Sequence, residues 1–168
     1  LLGVALAMTN PARAAASGSL AAQLSRFDIA IPLMLLGSVI SLTSLATAFA
    51  AWRDRFAVEL KPQVGGDLGA RMQSALHAAI AGGSRAILIG TDCPALDETY
   101  LAQAVAALDE HAVVFGPAED GGYVLVALAR AIDAFSGIPW SSAGTMAATR
   151  AKLEAQHVRW HELPTLWD

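Results

Sequence analysis

Three short glycine-rich clusters hold the residue types that transfer chemistry needs. The first, Gln63-Val-Gly-Gly-Asp-Leu-Gly-Ala-Arg-Met72, sets Gly65, Gly66 and Gly69 around Asp67 and Leu68. Glycines ahead of a helix let backbone N–H groups approach a ligand, and a helix N-terminus favours an anion such as phosphate. Arg71 would add a charge-assisted contact. The same residues equally suit a plain turn with Asp67 as helix cap. The second cluster, Gly90-Thr-Asp-Cys-Pro-Ala-Leu96, puts Asp92 directly after an apolar run. A carboxylate there suits a hard divalent cation, which takes one or two carboxylates plus substrate phosphates; it also suits a loop cap. The third, Gly116-Pro-Ala-Glu-Asp-Gly-Gly-Tyr123, offers Glu119 and Asp120 before a glycine pair. These carboxylates could complete a metal site with Asp92, act as a general base, or form an acidic hairpin. Gly121 and Gly122 would let a substrate close to the backbone.

Other features are less pointed. Trp140 and Ser141, in Gly137-Ile-Pro-Trp-Ser-Ser142, suit a pocket wall with a polar contact, or packing and a helix cap. Cys93 has no base beside it and reads as buried packing. His157 and His161 are four apart but fall in a strand-like stretch, so no shared metal is expected.

The clusters need elements to position them. Glu59 and Leu60 belong to an alternating stretch from Phe56, closed by Pro62. Asp67 and Gly82-Gly83 bound a helix with Leu68, Met72, Leu76, Ala79 and Ile80 at helical spacing. Residues 85–91 read as a buried strand with Asp92 at its carboxyl end. Asp97 caps a helix with Leu101, Val105 and Leu108 on one face. Strands over 111–116 and 123–128 come next, then a helix capped by Ser141 or Ser142 and running to Gln156, then a strand over 158–163. Strands alternating with helices at these lengths predict an α/β sheet with helices on both faces and the ligand beyond the strands' carboxyl ends.

Composition splits the chain. It has 168 residues, 55% hydrophobic and 15% charged, with net charge −4. Disorder, a coiled coil and a general nucleic-acid binder are excluded. Its single cysteine excludes a disulfide framework. Of the 11 Lys and Arg and 15 Asp and Glu, only Arg13, Arg26 and Asp28 precede Trp52. Residues 29–51 carry no charge, which reads as a membrane helix, a buried helix or a segment foreign to the α/β portion. Residues 1–52 are therefore expected to be an atypical apolar segment, and 53–168 the α/β domain, truncated at its C-terminus. A secretory leader is not expected.

Taken together, "GGDLGARM", "IGTDCPAL", "FGPAEDGGYVLVAL" and "GIPWSSA" closely resemble the bacterial glycosyltransferase-A-like family called selenodomain-associated transferase 1. Its superfamily also holds guanylyltransferases. The resemblance implies a three-layer α/β/α, Rossmann-like nucleotide-diphospho-sugar-transferase fold. It implies a cytoplasmic transferase taking a nucleotide-sugar or nucleoside triphosphate donor, a small-molecule acceptor and Mg²⁺ or Mn²⁺. Asp92 would match the metal-binding aspartate, and Asp120, with Glu119, the acidic residue near metal or acceptor. Gly65, Gly66, Asp67, Leu68, Gly69 and Arg71 would lie by the nucleotide. Gly121, Gly122, Tyr123, Trp140 and Ser141 would line the acceptor side. Members begin with a strand and a basic Gly/Pro loop that grips the donor phosphates; residues 1–52 show no such loop, which points to an alternative reading as an impaired nucleotide-binding remnant.

Overall fold

Short β-branched runs separated by capped helices give this chain one mixed sheet with helices on its faces. The structure, a computed structural model, describes residues 4–8, 27–33, 55, 59–62, 66–81, 83–90 and 93–167. In chain order the strands and helices are β1 (Val4–Met8), β2 (Phe27–Leu33), β3 (Glu59–Pro62), α1 (Leu68–Ile80), β4 (Arg85–Ile89), α2 (Glu98–Ala107), β5 (Val113–Pro117), β6 (Tyr123–Leu128), α3 (Thr145–Ala155) and β7 (Trp160–Glu162). The sheet order is β3-β1-β2-β4-β6-β5-β7. β2 runs parallel to β4, and β5 parallel to β7, while β6 lies antiparallel between β4 and β5.

Side-chain alternation divides the interior into two cores. Ala86 and Leu88 of β4, Val113 and Phe115 of β5, and Val126 and Leu128 of β6 face α1 and α3. Ile87, Val114, Leu125 and Ala127 face α2. Met72, Leu76 and Ala79 of α1 cover the first face, with Met146 and Leu153 of α3. Tyr100, Ala104 and Val105 of α2 cover the second. The result is the expected three-layer α/β/α arrangement.

Both expected aspartate caps form: Asp67 Oδ1 accepts from Ala70 N and Asp97 Oδ1 from Tyr100 N, each at 2.8 Å. β3 ends at Pro62, as expected, and an edge strand tolerates a proline because one side of its ladder needs no donor. Three local expectations change. The buried face of α2 centres on Tyr100 and Ala104 rather than Leu101. The Tyr100 hydroxyl donates to Pro164 O at 2.7 Å, and burial, with Cys93 beside it, raises its pKa to about 12. α3 is capped by Gly144 without a side-chain bond, two residues later than Ser142, and the Ser142 and Thr145 hydroxyls donate instead to Pro139 O, at 2.9 and 2.8 Å. Lastly, residues 4–8 and 27–33 are strands of the same sheet, so the membrane-helix reading of 29–51 fails over 29–33, where the ladder to β1 fixes extended backbone. Residues 34–51 lie outside the described residues. No helix among the described residues is long and apolar enough to cross a membrane.

The segment after β6 is tied to α3 by charge. Lys152 Nζ sits 3.0 Å from Asp133 Oδ2, and Ser136 N donates to Asp133 Oδ1 at 3.1 Å. Partial burial pulls the Asp133 pKa upward, but hydrogen bonds from the Ser136 hydroxyl and N–H and the Lys152 charge outweigh it and hold the carboxyl at about 2. A depressed carboxylate pKa stabilises the fold above its unfolded value, and that contribution fades as pH falls through the folded one. The stability gap between the native chain and Asp133→Asn is therefore expected to be flat above pH ~4 and to shrink below it. Urea denaturation at a series of pH values measures it.

Candidate functional site

A cavity of about 320 Å³ opens where β4 and β5 end and β6 begins. Its walls come from the first turns of α1, the exit of β4 at Gly90, the Asp120–Tyr123 turn, the Trp140–Ser142 turn and Thr145 of α3. This is the position beyond the strands' carboxyl ends where α/β sheets bind ligands.

Each wall has a local cause. Between Gly116 and Pro117 the β5–β6 register shifts: Gly116 pairs with Leu125, but Pro117 pairs with Tyr123. β6 thus holds one extra residue, Val124, the signature of a β-bulge. The bulge reverses the alternation. Val124 and Leu125 both turn to the α2 face, and Tyr123 turns to the α1/α3 face. There it packs 5.0 Å from the Phe115 ring and edge-on to Trp140, with centroids 6.3 Å apart at 83°. Burial pushes the Tyr123 phenol well above its ordinary pKa, so it stays neutral.

The Asp120 turn is built from its own carboxylate: Oδ1 accepts from Gly122 N at 2.7 Å. Gly121 has φ +90, and a Cβ there would stand 2.3 Å from Ala143 O. Its carbonyl accepts from Met146 N at 2.9 Å, which seats the turn against the start of α3. The Trp140 turn is held by the two hydroxyls on Pro139 O and passes through Ser141 at φ 56, a left-handed conformation costly for a non-glycine residue. Trp140 in turn lies on α1. A Cβ on Gly69 would meet its Cζ2 at 2.6 Å and its Nε1 at 2.8 Å. Among the described residues, Trp140 Nε1 is buried without a hydrogen-bond partner, and the buried Tyr123 hydroxyl has only Thr149 beside it, outside good hydrogen-bond geometry. Thr149 Oγ1, buried on α3, gives its proton to Thr145 O at 2.9 Å.

The remaining candidates divide. Leu68, Asp120, Gly122, Tyr123, Trp140 and Ser141 come together on the cavity. Gly66 and Asp67 sit at its α1 end. Arg71 turns back on that loop, with Nε donating to Gly66 O at 3.2 Å and to Asp67 O at 3.3 Å. Gly69 contributes its missing side chain, and Gly121 the left-handed turn. Glu119 is exposed, with its N–H donating to Leu166 O at 3.2 Å. Asp92 and Gly65 lie outside the described residues. Among the described residues, no three His, Cys, Asp or Glu side chains converge. Asp120 brings one carboxylate to the cavity, a donor set that fits a single oxygen ligand to a hard cation. Sequence reasoning passed over Met72, Ser142 and Thr145. Met72 reads as core by spacing, Ser142 reads as a cap, and Thr145 carries no signal in the sequence.

Sheet order, layers and cavity together define an α/β protein of the glycosyltransferase-A-like, nucleotide-diphospho-sugar-transferase class. The chain belongs to the bacterial family described as "Uncharacterized protein conserved in bacteria (DUF2064)", whose model matches residues 37–142. That match begins inside the segment expected to be atypical. A crystal structure from Desulfovibrio desulfuricans G20, described as a "putative nucleotide-diphospho-sugar transferase", is similar at 30% identity and a TM-score of 0.64. The likeness covers 77% of this chain and 58% of that one, so the chain spans less than two thirds of that protein's length. No curated protein matches the chain.

The Gly69–Trp140 contact is testable. Gly69→Ala is expected to cost about 1–3 kcal/mol by overpacking, despite alanine's better helix propensity. It should also shift the Trp140 emission, and that shift should vanish in a Trp140→Phe background.

Proposed function

We propose that this chain is a transferase that moves a group from a nucleotide-activated donor, of nucleotide-sugar type, to a small acceptor held in the cavity. The observation that supports it is the cavity itself, at the strand ends, with Asp120 and Trp140 both on its wall. The acceptor oxygen would attack the anomeric carbon as the bond to the nucleoside diphosphate breaks. Asp120 would take the acceptor's hydroxyl proton, a general-base role. Gly66 and the α1 end would hold the nucleotide. Asp67 already places a carboxylate on the α1 N-terminus, so contact there suits a nucleoside better than a phosphate. A divalent cation held by Asp92 would supply charge neutralisation at the departing diphosphate.

A second reading has its own observation. β2 runs parallel to β4, so its carboxyl end at Leu33 points to the same side as Gly90 and the cavity. Residues 34–51, next in the chain, carry no charge. A donor's phosphates would find no cation from them, which favours a nucleotide-binding remnant without turnover.

Calorimetric titration of UDP and GDP with Mg²⁺ tests the first reading. Binding should weaken about tenfold or more in Asp92→Ala or without metal, and no binding of either nucleotide would sink it. Binding without any transfer from UDP- or GDP-sugars would favour the remnant.

A further inference from the structure

The acceptor half of the cavity pairs one aromatic wall with one carboxylate. Trp140 is fixed from several sides: Gly69 beneath it, Tyr123 edge-on, and Phe135 with its ring centroid 6.2 Å away. Its turn is locked by the Ser142 and Thr145 hydroxyls. Such a ring offers a flat apolar surface that is already ordered, so little entropy is lost when a ligand stacks on it. Asp120 is the only charged side chain among the described residues lining the cavity. With Oδ1 on Gly122 N–H, its other oxygen is not engaged by any described residue. An ionised carboxylate accepts hydrogen bonds and donates none.

These two surfaces select for a particular chemistry. A free sugar ring has an apolar C–H face to lie on an indole and hydroxyl edges to donate to a carboxylate. A phosphate ester brings a second anion beside Asp120, and like charges at contact distance repel even on an exposed turn. We infer that the acceptor is a neutral, hydroxyl-bearing ring, a free sugar or cyclic polyol, and not a phosphate ester. This rests on the acceptor-side reading of the cavity proposed above. It assigns the acceptor nucleophile as a hydroxyl oxygen rather than a phosphate oxygen, and Asp120 as the group that discriminates between them.

Saturation-transfer NMR on the intact chain, without nucleotide or metal, tests it. The probes are glucose, galactose, mannose and ribose, each free and as its terminal phosphate ester. At least one free sugar should receive saturation, and its ester about fivefold less or weaker still, with Asp120→Asn closing that gap and Trp140→Ala abolishing the signal. Esters that saturate as strongly as the free sugars would overturn the inference, and so would the absence of signal from every free sugar. Because no nucleotide is present, this failure is distinguishable from failure of the donor reading: a chain that binds UDP or GDP with Mg²⁺ yet ignores free sugars loses only the acceptor assignment.

Discussion

Tyr123 faces Trp140 because β6 carries one residue more than β5 opposite the Gly116–Pro117 step. Without Val124 in excess, strict alternation would aim Tyr123 at the α2 face and leave the cavity without its aromatic floor. The same stretch serves β4 as well, since Val124 O accepts from Gly90 N at 2.7 Å, where the described part of β4's exit ends. One local irregularity thus sets the direction of the cavity's aromatic wall and anchors the exit of the central strand. An antiparallel strand between two parallel neighbours makes this workable. Its beginning meets their carboxyl ends, where the helices leave room for a ligand.

Close backbone approach supports the rest. Gly69 admits the indole to α1, Gly121 admits the acidic turn to Ala143, and Gly116 admits the Tyr100 ring, whose hydroxyl would stand 2.7 Å from a Cβ there. These contacts leave side chains few alternative positions, which is what a site needs if its geometry is to be set before the ligand arrives. The strain at Ser141 belongs to the same design, because it is offset by two hydroxyls that converge on Pro139 O.

Much of this was legible in the sequence. Asp67 and Asp97 announced their helices because a carboxylate three residues ahead of an N–H is a local device. β6 was read to the residue, as a β-branched run after a glycine pair. The start of α3 was misread because Ser141 and Ser142 are good caps in isolation, whereas the chain makes a further turn through them and starts the helix only after Gly144. The bulge left no sequence signal, since register depends on the partner strand. The uncharged run 29–51 left several readings open for a related reason: hydropathy does not tell strand from helix, and residues 29–33, in β2 between β1 and β4, are as apolar as the start of a membrane helix.

The central claim is that a single cavity at the carboxyl ends of β4 and β5 receives the nucleotide and its acceptor together. Hydrogen exchange measured amide by amide, with and without UDP or GDP and Mg²⁺, reads this directly. Exchange should slow about tenfold or more at Gly66–Arg71 and Ala118–Tyr123, with α2 unchanged. Protection confined to α2, or none at the two cavity segments while nucleotide is bound, would contradict it.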